Sequence, residues 1–197
     1  MKPYWAIDKF ANAVARLCRT AAHPAAVGVA ELLESTTGTV PLGAEPGLPV
    51  LAHLDMTIAA MPGDGPLQSL GSEIRLLGWT ELWELPPTMW ARHANLEFVG
   101  PDGAPIVDSQ YRFGLYLQAP HTWYPRHWHA AEEFYLVLNG AADWGIGSAP
   151  ATMRRSGDLI RHAPGEPHSM RTSQEPLLTA WVWVGNVDSA TYRIELD

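Results

Sequence analysis

Residues 121–140 read HTWYPRHWHAAEEFYLVLNG. His127 and His129 are separated by one residue, and in an extended chain that spacing puts both imidazoles on one face. Glu133 and Tyr135 have the same parity, so a strand running from 127 to 135 turns all four side chains inward. Phe134, Leu136 and Leu138 then face the opposite packing layer. A bend at residues 130–132 weakens the parity argument without removing it. Neighbours on one ribbon cannot close a metal site alone, so a further ligand is expected from another strand. His168 is that candidate: it ends GDLIRHAPGEPH, where Gly157, Asp158 and Gly165 supply turns.

Imidazoles with one carboxylate suit a divalent transition metal: Zn, Fe, Mn, Co or Ni. The predicted ligand set is His127, His129, Glu133 and His168. The single cysteine, Cys18, excludes an internal disulfide and a thiolate metal site, leaving nitrogen and oxygen donors.

Outward from this stretch, the chain divides by pattern. From about Leu96, short apolar runs alternate with turn residues: LEFV, YRFGLYLQA, EEFYLVLNG, AADWGIG, GDLIRHAP and LLTAWVWVG. That spacing predicts an antiparallel sandwich or barrel. Before it, Ile7, Phe10, Val14 and Leu17 recur at helical spacing, and Val27, Ala30, Leu32 and Leu33 predict a second short helix after Pro24. Residues 36–49, rich in Gly and Pro, read as a loop and a candidate gate for the pocket. A helix is expected from Leu51 to Met61, broken by Pro62, Gly63, Gly65 and Pro66. The expected organisation is one structural unit, with a mostly helical segment at 1–92 packed on a β-barrel at 93–197.

The 197 residues are 47% hydrophobic, enough to bury one sizeable core. The net charge of -8 comes without a basic stripe, which argues against nucleic acid as a partner. Asp8, Lys9, Arg16 and Arg19 interrupt the N-terminal segment, so neither a signal peptide nor a membrane span is expected, and a cytoplasmic location is the default. Nine tryptophans fit either a core or an aromatic-lined pocket.

The motifs resemble those of the cupin superfamily. Its HxHxxxExxxxxxG pattern is matched by His127, His129, Glu133 and Gly140, and its GDxxxxPxGxxH pattern by Gly157, Asp158, Gly165 and His168. One departure is that Pro164 stands one place later than the usual proline, with Ala163 in its position. Over residues 110–185 the resemblance implies a double-stranded β-helix, mainly β with N-terminal helices, and pairing through strand edges, hence a homodimer. Within cupins, Tyr124-Pro125-Arg126-His127-Trp128-His129, Glu133-Phe134-Tyr135 and Gly140-Ala141-Ala142-Asp143-Trp144 look like the dimethylsulfoniopropionate (DMSP) lyase group. The resemblance implies a carbon-sulfur lyase that cleaves this small-molecule substrate to dimethyl sulfide and acrylate.

On that reading the metal binds the substrate carboxylate and Tyr135 is the general base. Tyr124 orients substrate or serves as the alternative base, and His127 is either a ligand or a group that positions the carboxylate. A sulfonium has no hydrogen-bond donors, so aromatic faces are its natural partners, with Trp183 first and Trp144 second as candidates. Trp181 shares the parity of Trp183, and both are equally read as barrel filling. His162 is expected as a partly exposed strand residue and His121 as part of a loop; His23, His53 and His93 receive no role. The alternatives are a cupin isomerase, dioxygenase or other lyase acting on another small carboxylate, and a non-catalytic cupin that binds a small ligand.

Overall fold

The computed structural model describes residues 4–21, 23–60, 70–82 and 84–196. Its elements are β1 (Tyr4–Ala6), α1 (Asp8–Thr20), α2 (Ala26–Ser35), β2 (Thr39–Pro41), α3 (Leu54–Ala59), α4 (Pro87–Trp90), β3 (His93–Gly100), β4 (Ile106–Val107), β5 (Tyr111–Gln118), β6 (Trp123–Trp128), β7 (Ala131–Asn139), β8 (Ala141–Ile146), β9 (Thr152–Arg155), β10 (Leu159–His162), β11 (His168–Thr172), β12 (Leu177–Gly185) and β13 (Arg193–Ile194). Three-ten segments occupy Pro49–His53, Gly71–Leu76 and Ser189–Thr191.

Two sheets carry the architecture. One has the order β10-β7-β12-β5-β3-β4 and the other β13-β6-β11-β8-β9. From β5 onward the chain passes back and forth between them, staying within one sheet only at the β8–β9 hairpin. This alternation is the double-stranded β-helix. The sheets face one another as separate sheets, so the expected barrel is corrected to an open pair: among the described residues no strand ladder joins them. Nor is every pairing antiparallel, because β3 and β4 run parallel.

At its centre the six-stranded sheet is buried on both sides, which explains why β5 reads as a nearly continuous apolar run and is buried along its whole length. On its outer face Phe98, Phe113, Leu115, Phe134, Leu136, Leu138 and Val182 form one core with Ile7, Phe10 and Val14 of the N-terminal region. Phe10 stacks on Phe113 at 5.8 Å between ring centroids and meets Phe98 edge-on at 5.7 Å. Between the sheets lies a second cluster, including Tyr116, Tyr124, Tyr135, Val137, Trp144, Met170 and Trp181. Gly114 is required there: an added Cβ would lie 2.1 Å from the Leu96 carbonyl oxygen and 2.5 Å from the Trp181 ring.

The expected N-terminal helices form, with α1 burying Phe10, Val14 and Cys18. In α2 the buried stripe is Ala26, Val29, Ala30 and Leu33, whereas Val27 is exposed. Residues 36–49 are more ordered than a plain loop: β2 pairs with β1 through Trp5↔Val40, two strands too short to show a period. The helix expected from Leu51 begins as the three-ten turn and becomes α3 only at Leu54. Met61 and the expected breakers Pro62, Gly63, Gly65 and Pro66 lie outside the described residues. Among the described residues, no helix is long and apolar enough to cross a membrane.

Candidate metal centre

The strand through His127 ends at Trp128, and β7 begins at Ala131, so the bend expected near residue 130 is present. Glu133 and Tyr135 still face the inter-sheet space while Phe134 and Leu136 join the outer core, as period-two alternation requires. β11 pairs with β6 in the register His168↔His127, which brings the downstream motif against the first. The turn before β11 is also tied to the first motif, because the Gly165 amide donates to the His129 carbonyl at 2.8 Å. The displaced proline leaves that turn closed, with Glu166 N–H bonding to the Ala163 carbonyl. Gly140 ends β7 at φ 85°, where an added Cβ would stand 1.9 Å from the Pro176 carbonyl oxygen. Its place in the motif is therefore a packing requirement as well as a turn requirement.

His129, Glu133 and His168 are buried and can offer ligand atoms all within 4.8 Å of one another. Glu133 Oε2 lies 3.1 Å from His129 Nε2 and 3.0 Å from His168 Nε2. His129 Nδ1 faces the Ala131 carbonyl at 3.2 Å, and His168 Nδ1 faces the Glu166 carbonyl at 2.9 Å. A carbonyl only accepts, so each Nδ1 carries a proton, and in the neutral ring each Nε2 turns a lone pair towards a carboxylate oxygen. Among the described residues His168 Nε2 makes no well-aligned hydrogen bond, although Glu133 Oε2 lies 3.0 Å away. Three electron-rich atoms converging in a buried space repel one another unless a cation lies among them. The outer carbonyls are the kind of support that fixes the orientation of metal-bound histidines. The donor set therefore fits a divalent ion.

The alternative source of positive charge is protonation of the histidines. Burial alone raises the Glu133 pKa, but protonated His129 and His168 would outweigh it and hold the carboxyl well below its usual range. A divalent ion supplies charge of the same sign while leaving both lone pairs in use.

His127 is placed beside this trio and not within it. Its Nδ1 donates to the Pro125 carbonyl at 2.8 Å, its ring lies 4.0 Å from the His168 ring, and Tyr124 stacks on it at 4.1 Å. Each histidine of the site has an aromatic plate: Tyr124 on His127, Trp183 on His129 at 3.9 Å, and His162 on His168 at 3.8 Å.

A cavity of about 290 Å³ opens over the centre, with His127, His129, Glu133, Tyr124, Tyr135, Trp181, Trp183 and Tyr192 in its walls. Tyr135 is buried; burial first, and the charge of Glu133 second, push its pKa well above the ordinary phenol value. Burial likewise pushes Tyr124 well up, and its hydroxyl lies 2.7 Å from that of Tyr192.

Three expectations are corrected. Trp144 is fully buried and does not line the cavity: it sits behind Tyr135 and donates from Nε1 to His162 Nε2 at 3.1 Å. His162 is fully buried instead of partly exposed. Its parity partner in β10 is Ile160, also buried, so strand alternation gave the signal that the polarity of histidine obscured. Residues 36–49 do not line the metal cavity; Val40 and Pro41 instead border a second cavity, which shares Leu82, Glu84, Asn95 and Glu97 with the first. His121 lies in the turn before β6, as expected, at φ 51°.

Several cavity residues escaped the sequence reading. Tyr192 belongs to no motif. Arg112 lies in the apolar run of β5, where it bonds Glu97 and the Val187 carbonyl, each at 2.7 Å. A lone arginine sharing inward parity with Gly114 and Tyr116 was its available signal. Glu84 and Glu97 also line the cavity, and burial raises the pKa of both.

A family model described as dimethylsulfoniopropionate lyase matches residues 32–179. The chain is 33% identical over 99 residues to dimethylsulfoniopropionate lyase DddQ of Ruegeria pomeroyi strain DSS-3. That alignment covers 50% of this chain and 49% of the relative, so the chain spans about half the length of the curated protein it matches. Among solved structures, one from a study of the DMSP lyases RdDddP and RnDddQII superposes with a TM-score of 0.72 at 22% identity, covering 95% of this chain and 96% of the other. The structure of DMSP lyase DddQ from Ruegeria pomeroyi DSS-3 gives 0.69 at 23% identity, covering 94% and 95%. At these identities the superpositions carry the fold alone.

Proposed function

The chain belongs to the dimethylsulfoniopropionate lyase family, and on that premise we propose that it catalyses β-elimination of DMSP to dimethyl sulfide and acrylate. The observation that carries the proposal is the convergence of His129, Glu133 and His168 on one buried point in a cavity that also holds Tyr135, Tyr124 and two tryptophans. A divalent ion held by that trio supplies, when bound, a positive charge that accepts the substrate carboxylate, acidifies the adjacent C–H and favours tyrosinate.

His127, with its Nδ1 anchored on a carbonyl, borders the space where the substrate carboxylate would lie and orients it. Tyr135, as phenolate, removes the proton from the carbon next to the carboxylate. The C–H electron pair becomes the new C=C bond, the C–S bond breaks onto sulfur, and neutral dimethyl sulfide departs. The proton taken by the Tyr135 oxygen returns to water before the next turnover. Trp181, Trp183 and Tyr116 offer aromatic surface to the sulfonium, and the carboxyls of Glu84 and Glu97 suit a cationic head. Tyr124, held by Tyr192, orients the substrate.

The test is to incubate the purified protein, loaded in turn with Mn, Fe, Zn, Co or Ni, with DMSP and to measure dimethyl sulfide in the headspace. Release is expected, and Tyr135→Phe should keep its metal while kcat falls by about 10²- to 10⁴-fold, the range for loss of a positioned base. No release with any metal would sink the lyase reading and leave a cupin acting on another small carboxylate. Retention of most activity in Tyr135→Phe would transfer the role of base to another group.

A further inference from the structure

Trp183 stands directly opposite Glu133 in the β12–β7 ladder, and directly opposed side chains lie within contact distance. Its indole makes two contacts that bear on different ligands. Nε1 donates to Glu133 Oε1 at 2.7 Å, while the ring lies on the His129 imidazole with centroids 3.9 Å apart and planes inclined at 30°. The other carboxylate oxygen, Oε2, is the one facing the Nε2 atoms of both histidines.

We infer that Trp183 is a positioning residue of the metal centre: its N–H occupies Oε1 so that Glu133 ligates through Oε2 alone, and its face sets the plane of His129. This rests on the reading of His129, Glu133 and His168 as a metal site. An indole nitrogen is a donor only, so the bond has one polarity and cannot reverse. A carboxylate free at both oxygens can take two positions on an ion; one restrained by a hydrogen bond takes one and leaves the other to substrate or water. A tryptophan serving solely as a sulfonium wall would have no effect on metal binding, which separates the two roles.

The test titrates metal-free protein with Co and with Zn against a chromophoric chelator and records the cobalt ligand-field spectrum. The wild-type protein is expected to bind one ion. Trp183→Phe keeps a ring over His129 and loses the donor, and it should bind about 10- to 100-fold more weakly, the usual cost of losing a ligand's supporting hydrogen bond. Its cobalt bands should also shift as Glu133 changes its mode of ligation. Where Trp183→Phe does not fold, a tryptophan analogue with sulfur in place of the ring N–H, incorporated at position 183, removes only the donor and should give the same result. A folded variant with wild-type affinity and an unchanged spectrum overturns the inference alone. Failure of the wild-type protein to bind either metal overturns the metal centre and the inference together. Neither measurement uses DMSP, so absence of dimethyl sulfide release leaves the result standing.

Discussion

The two faces of β7 carry opposite kinds of residue on one backbone. Phe134, Leu136 and Leu138 enter the apolar core that α1 and α2 seal, whereas Glu133, Tyr135 and Val137 face the inter-sheet space beside the histidines. Contacts on the outer face are non-directional and sum with buried area. On the inner face, buried polar groups add little stability of their own and are costly unless each finds a partner. The difference teaches that stability and chemistry are assigned to opposite sides of one sheet, separated by a single backbone thickness, and substitutions should separate them.

The largest effect belongs to the inner face. His168→Ala, which removes the ligand from the neighbouring strand, should abolish stoichiometric metal binding and lower turnover by about 10³-fold or more, the scale expected when several kcal/mol of charge stabilisation is lost. Its metal-free melting temperature should stay close to that of the metal-free parent. Elemental analysis with calorimetry checks both, and a large loss of metal-free stability would contradict the division of labour.

The outer face supplies the converse. Phe113→Ala deletes a fully buried ring between Phe10 and Phe98 and should cost about 3–5 kcal/mol of unfolding free energy. In denaturant titrations the folded fraction should still take up one metal ion per chain. Loss of metal affinity in protein that remains folded would show that the two faces are coupled.

A smaller effect sharpens the comparison through acid stability. His93 is fully buried, its Nδ1 lies 2.7 Å from the Tyr116 hydroxyl, and burial lowers its pKa from 6.5 to about 3. The unfolded chain therefore takes up a proton below about pH 6.5 that the folded chain refuses until near pH 3. Stability is full above the unfolded value and falls as pH drops, by about 2 kcal/mol at pH 5 for one such group. His93→Gln should flatten this part of the profile in urea melts at pH 5 and 7.5; an unchanged slope would place its origin elsewhere.

Much of this was legible in the sequence, for reasons that can be named. Ligand spacing within the first motif joined His129 to Glu133 even though the strand breaks between Trp128 and Ala131, and the second motif supplied His168. Spacing across strands is invisible in a linear chain. The pairing of Trp183 with Glu133, the approach of Tyr192 to Tyr124 and the contact of Arg112 with Glu97 all depend on register or on loop placement. Trp144 was assigned to the sulfonium from its aromatic face alone; residue type and motif say nothing about depth, and the ring lies fully buried against Tyr135.

By itself, then, the sequence determined a succession of short strands, the nitrogen and oxygen donor set and the helical covering, because period, turn residues and ligand spacing are local properties; that the strands form two open sheets was a tertiary outcome. Tertiary structure decided which members of that set converge. His127 stands beside the trio with Tyr124 on its ring, and Trp183 bonds the oxygen of Glu133 that faces away from the histidines. Those outcomes follow from the register of β6 with β11 and of β7 with β12, which is set by the packing of both sheet faces at once and by no short stretch of chain.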